Sequence, residues 1–122
     1  MDWSEERPLK GTRVVDQAED RGELCGRLLA DLGAEVIRVE PPGGSQSRKL
    51  PPFHKGTSLY FAVRNLGEKS VTCDLESAAG RDAFDRLLAA SDVWIDSHLP
   101  ADRKSTRLNS SHEIPSRMPS SA

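Results

Sequence analysis

Aromatic side chains are scarce in this 122-residue chain: three Phe, two Trp and one Tyr, 5% of the residues. Hydrophobic residues reach only 36% against 30% charged, which limits the chain to one modest core. Two cysteines, Cys25 and Cys73, are too few and too distant for a disulfide framework or a metal knuckle, and both read as free thiols in packed elements. A basic excess is missing as well. The formal net charge is −2 and no basic face is segregated, which argues against a nucleic-acid partner held by phosphate neutralisation. No run of about 18 apolar residues exists to cross a bilayer, and no apolar signal core follows Met1. The expectation is a soluble, cytoplasmic protein with no membrane partner.

Several chemical fingerprints are also absent. No Gly-x-Gly-x-x-Gly follows the first apolar segment and no Gly-Lys-Ser/Thr occurs, so the dinucleotide and triphosphate signatures are missing. His54, His98 and His112 show no metal-ligand spacing with the cysteines. Ser97 and His98 are adjacent and would point apart from one strand end, which is poor geometry for a nucleophile and its base.

What is present is an alternation of strands and helices. Thr12 to Asp16 reads as a first strand carried by Val14 and Val15, and Asp20 is a candidate N-cap for a helix through about Leu32. Leu24, Leu28, Leu29 and Leu32 share one face of that helix, while Arg27 and Asp31 are spaced to pair; Gly33 supplies its stop. Glu35 to Glu40 is a strand buried on at least one face, ended by Pro41-Pro42. A long Pro/Gly/Ser-rich connection to Gly56 follows, either a functional lid or an excursion. Thr57 or Ser58 caps a short helix with Leu59, Ala62 and Val63 inward. Lys69 to Glu76 forms the third strand. Ser77 to about Ala90 is a helix with Phe84, Leu87 and Leu88 inward, and Asp92 to Asp96 is the fourth strand, with Trp94 in the core. Two strand–helix–strand units in succession predict an α/β fold, a Rossmann-like doubly wound parallel sheet. In such a sheet ligands approach the carboxyl ends of the strands. Here those are Gln17 to Gly22, Glu40 to Gly44, Asp74 to Ser77 and Ser97 to Pro100. A pyrophosphate there would be met by Arg21, Arg48 or Lys49 rather than by the acidic Asp16, Glu19 and Asp20.

Composition changes near Ala101. Residues 102 to 122 hold six serines and two prolines with almost no apolar periodicity, which predicts a disordered tail. Asp102 to His112 and Ser116 to Ala122 resemble the in-frame translation of a sequencing-adapter oligonucleotide. The expected organisation is therefore one domain over 1–101 that is the N-terminal part of a longer protein, followed by a non-native tail over 102–122.

Four blocks together resemble the family III CoA-transferases, which include formyl-CoA transferase, carnitine CoA-transferases and α-methylacyl-CoA racemase. They are Pro8 to Asp16, Leu29 to Gly44, Asn65 to Asp74, and Ala79-Gly80-Arg81 leading to Ser91-Asp92-Val93. The resemblance implies a Rossmann-like CoA-binding half-domain, coenzyme A or acyl-CoA as substrate without a metal, a carboxylic acid as acceptor, and an interlocked homodimer for the complete protein. It places Asp20, Arg21, Cys73, Asp74, Leu75, Glu76, Ser97 and His98 around the CoA. Three departures stand out: Arg21-Gly22-Glu23 replaces Ala-Gly-Pro, Gly67-Glu68-Lys69 replaces Asn-Lys-Arg, and Ser97-His98 replaces Asn and an aromatic residue. The family's transferring members use an aspartate nucleophile well downstream, so no catalytic residue is expected here and the chain alone is expected to be inactive. Alternatives are an acyl-CoA racemase of the same family and a stand-alone nucleotide-binding or interaction module.

Overall fold

Adjacent Val14 and Val15 point to opposite faces of a strand, so burying both requires a layer on each side of the sheet. The computed structural model describes residues 7–19 and 22–97, and in it neither valine retains exposed surface. Strand β1 (Arg13–Asp16) leads through helix α1 (Glu23–Asp31) to β2 (Glu35–Glu40). These strands pair in parallel, Arg13 opposite Glu35 and Asp16 opposite Arg38. A 3-10 turn (Gln46–Lys49) and a small antiparallel hairpin, β3 (Phe53–His54) with β4 (Thr57–Ser58), precede helix α2 (Leu59–Arg64). Strand β5 (Lys69–Thr72) lies beside β2, and helix α3 (Ala78–Ala89) returns the chain to β6 (Val93–Ile95) on the far side of β1. The sheet order is β5-β2-β1-β6, all parallel. The doubly wound, Rossmann-like fold is therefore present, with its strand order reversing between β1 and β6.

Local chemistry sets the ends of these elements. Gly33 has φ +105°, and the Gly33 and Ala34 N–H groups donate to the carbonyls of Ala30 (3.0 Å) and Leu29 (3.1 Å), the paired bonds of a Schellman stop. Ser58 and Ser77 cap α2 and α3, their hydroxyls accepting from Phe61 N–H (3.2 Å) and Gly80 N–H (2.9 Å). One core joins Val14, Ala30, Ala34 and Val36 beneath α1, with Leu9, Leu29 and Ile95 against it. The other joins Val15, Val39 and Phe84 beneath α3, with Leu75, Leu87, Leu88 and Trp94 against it. Phe84 and Trp94 meet edge-to-face at 5.9 Å.

Several expectations are corrected. Helix α1 begins at Glu23 behind Gly22; Asp20, the expected cap, lies outside the described residues. Leu24, Leu28 and Leu32 are exposed and only Leu29 turns inward. The sheet-facing side of α1 is instead Glu23, Gly26 and Ala30, because the backbone must approach a polar cluster that leucines would block. Leu59 and Val63 are likewise exposed, and Cys25 is exposed on α1 while Cys73 is partly covered. The third strand stops at Thr72. The long connection is anchored at its middle. Ser47 is fully buried, and the Ser58 hydroxyl donates to the Ser47 and Leu50 carbonyls, tying the middle of the connection to the strand that follows it. Arg27 pairs with Asp31 (3.8 Å) as its spacing predicts, and also donates to the Val63 carbonyl (2.7 Å). Among the described residues no helix is long and apolar enough to cross a membrane. The expected tail lies outside the described residues.

Candidate functional site

Where strand order reverses, the segments leaving β1 and β6 diverge to opposite sides and leave a crevice at the carboxyl edge. Here the divergence is bridged by hydrogen bonds. Gln17 N–H donates to the Ile95 carbonyl (2.9 Å), and the Gln17 side-chain oxygen accepts from Trp94 Nε1–H (2.8 Å). Glu19 N–H donates to Ser97 Oγ (2.8 Å). A methyl group on Gly22 would lie 3.7 Å from Ser97 Cβ, so the start of α1 and the end of β6 stand at contact distance. Of the residues assigned to the CoA by resemblance, Ser97 is at this crevice, while Asp20, Arg21 and His98 lie outside the described residues.

The other four follow β5 and are three strand spacings from β6, about 14 Å. Cys73 N–H continues the ladder to the Glu40 carbonyl (2.9 Å), and its thiol donates to the Gly80 carbonyl (3.0 Å). Burial, with the neighbouring Asp74 charge, pushes that thiol up, away from thiolate chemistry. Leu75 packs toward Phe84. Asp74 and Glu76 are exposed, Asp74 accepting from Glu76 N–H (3.0 Å) to shape the turn into α3. The edge thus carries two groups of predicted residues, joined by β1 and β2 rather than touching.

Beneath the crevice, on the α1 face, lies an ionic cluster that the sequence pattern alone does not mark as a site. Arg38 is 1% exposed. Its Nε and Nη2 donate to Ser45 Oγ (3.1 and 3.0 Å), and its guanidinium lies 3.3 Å from Glu23, 3.5 Å from Asp16 and 3.6 Å from Glu19. Glu23 also accepts from Ser47 Oγ–H (2.5 Å) and Asn65 Nδ2–H (2.9 Å). Asp16 Oδ1 accepts the Ala18 N–H (2.8 Å), shaping the segment that enters the crevice. Burial pushes the Asp16 carboxyl up, against the hydrogen bonds and the Arg38 charge that lower it. A second ionic centre adjoins. Glu40 accepts from Arg48 Nε (2.6 Å) and Nη2 (2.8 Å), from Ser45 N–H (2.8 Å) and from the Ser70 hydroxyl. Burial opposes ionisation of Glu40, but these donors prevail and hold its carboxyl at about 2. Arg48 also stacks on Phe61, 3.9 Å from the ring centre. It is therefore engaged within the fold, as Arg38 is, and the expected meeting of Arg48 with a pyrophosphate would break its fork on Glu40. The signal for this cluster was the alternation Val36, Arg38, Glu40, which puts both charges on the face that Asp16 shares.

Comparisons with known proteins agree with this architecture. The family model described as CoA-transferase family III matches residues 9–117. A probable fatty acyl-CoA transferase, Rv3272, of Mycobacterium tuberculosis is 40% identical over 98 residues, covering 77% of this chain and 25% of that protein. Succinyl-CoA--D-citramalate CoA-transferase of Chloroflexus aurantiacus is 39% identical over 97 residues, covering 77% of this chain and 24% of that protein. Among solved structures, that of Rv3272 superposes with a TM-score of 0.77 at 38% identity, over 91% of this chain and 31% of that one. This chain spans about a quarter of the length of these curated relatives. With the matched model, the relatives and the reversed strand order in agreement, the chain belongs to CoA-transferase family III, a family of enzymes.

Proposed function

We propose that this chain forms the CoA-binding part of an enzyme that moves CoA from an acyl-CoA thioester to a carboxylic acid. The observation that carries the reading is the strand-order reversal between β1 and β6, bridged by Glu19 N–H and Ser97 Oγ at 2.8 Å. It is supported by relatives named as transferases of fatty acyl-CoA and succinyl-CoA. In this reading the crevice between Gln17 and Ser97 takes an uncharged part of CoA, because Glu19 and Glu23 border it and Arg38 and Arg48 are engaged. Asp20, Arg21 and His98 contact CoA as well, on the strength of the resemblance, and Cys73 to Glu76 line the far end of an extended ligand. The nucleophile lies in the remainder of the complete protein, which acts as an interlocked dimer in the cytoplasm, and residues 102–122 are not part of the native fold. Calorimetric titration of the chain with CoA, NAD and ATP tests this. CoA is expected to bind in preference to both, and preference for NAD would overturn the reading in favour of a general nucleotide-binding module. The chain alone is expected to give no CoA exchange between an acyl-CoA and a free acid.

A further inference from the structure

The face of α1 that meets the sheet is opened by Gly26. A methyl group there would sit 2.2 Å from Asp16 Oδ2 and 2.9 Å from Glu68 Oε2, so the two carboxyl groups converge on one point under the helix. Asp16 is completely covered, and among the described residues no N–H or hydroxyl group hydrogen-bonds to Asp16 Oδ2 or to either oxygen of Glu68, although all three are shielded from solvent. The charged groups facing them are Arg38 from β2, Glu23 from α1 and Glu19 from the segment after β1, with the neutral amide of Asn65 beyond Glu23. One guanidinium therefore faces four carboxyl groups. Two bare carboxylates cannot meet in such a place, but one proton between them makes one a donor and the other its acceptor.

We propose that Asp16 and Glu68 share a proton and that this carboxyl pair positions the Gln17–Glu19 segment at the strand-order reversal, making both of them positioning residues for the ligand crevice. Asp16 is the link: one oxygen faces Glu68 and the other holds the Ala18 N–H at 2.8 Å. Burial first, then the adjoining Asp16, pushes the Glu68 carboxyl up to about 9. A group whose pKa rises on folding stabilises the fold fully below its unfolded value, about 4.5, and that contribution is lost as pH rises through about 9. Folding near neutrality therefore takes up a proton.

The crevice role rests on the CoA reading above; the shared proton does not. The urea midpoint of the chain, measured from pH 5 to 9, is expected to fall with rising pH, the folding constant losing up to about tenfold per pH unit. Protection of the Ala18 amide, corrected for intrinsic exchange, is expected to fall along the same limb. Glu68→Gln keeps a permanent donor toward Asp16 and is expected to flatten both profiles while retaining the pH 5 midpoint. Glu68→Ala, which supplies no donor, is expected to lower the midpoint throughout. A flat profile or no cooperative transition in the unaltered chain, an unchanged slope in Glu68→Gln, or equal behaviour of the Gln and Ala variants would overturn the pair. CoA affinity should weaken along the same limb in the unaltered chain and not in Glu68→Gln. If CoA fails to bind while the stability limb and its loss in Glu68→Gln are present, the shared proton stands and the CoA reading and the crevice role fail; if CoA binds with the same pH profile in both proteins, the positioning role fails alone.

Discussion

The two faces of the sheet bury comparable stretches of β1 and β2 by opposite means. Under α3, Val15, Val39, Phe84 and Trp94 exclude water by apolar contact. Under α1 the amino-terminal half does the same with Val14 and Val36, but the carboxyl half is ionic, with buried Asp16 beside Arg38 and buried Glu40 two residues further along β2. Apolar packing is non-directional, and its contribution scales with the area removed from water. A buried ionic cluster carries a large desolvation cost that is offset only while every partner is in place. The difference shows where this chain uses precision: at the carboxyl edge, where a ligand would approach, rather than in the bulk of the core.

Substitutions can break that contrast. Arg38→Met, which retains much of the side-chain volume and deletes the charge, leaves Asp16, Glu19 and Glu23 without their cation and is expected to cost about 3–5 kcal/mol. Urea unfolding should show a greater loss at pH 7 than at pH 5, because burial already pushes the Asp16 carboxyl up and acid neutralises it once Arg38 is gone. Phe84→Ala on the opposite face is expected to cost about 3 kcal/mol through lost burial and a cavity, and its cost should not vary with pH over that range. A pH-dependent penalty for Phe84→Ala would mean that the two faces are coupled. The smallest effect belongs to the half-exposed Arg48. Arg48→Ala is expected to cost about 1 kcal/mol at neutral pH after solvent screening. Because Glu40 is held at about 2, below its ordinary 4.5, it stabilises the fold above pH 4.5, and that contribution is lost as pH falls toward 2. In acid unfolding, the Arg48→Ala chain should lose stability over a narrower span within that window.

Much of the fold was legible because short-range chemistry specified it. The adjacent valines of β1 demanded two covered faces, Gly33 closed α1, and Ser77 opened α3. The orientation of α1 was not legible. Leu24, Leu28 and Leu32 form a stripe that reads as inward, yet Glu23 must reach Arg38 and Gly26 must admit the carboxyls below it, and these demands turn the stripe outward. The candidate site was legible in position but not in content. The carboxyl-end rule located the segments near Gln17 and Ser97. The ionic cluster joins residues up to 52 positions apart, Asp16 to Glu68, and a charged residue in a strand reads as solvent-facing unless its distant partners are known. Asp20, Arg21 and His98 keep their standing from resemblance alone.

The place of β1 in the sheet also orders assembly in time. Its neighbour β2 arrives 22 residues later, while the contact to the β6 side spans 79. Closing the longer loop costs only about 1 kcal/mol more in chain entropy, so distance is a weak thermodynamic obstacle. It matters during synthesis. The first strand–helix–strand unit can close early, but Gln17 and Glu19 wait for Trp94 and Ser97 before their bridging bonds can form. The crevice is therefore among the last features of the described fold to be completed, and in a nascent chain it stays open until the fourth sheet strand has docked beside the first.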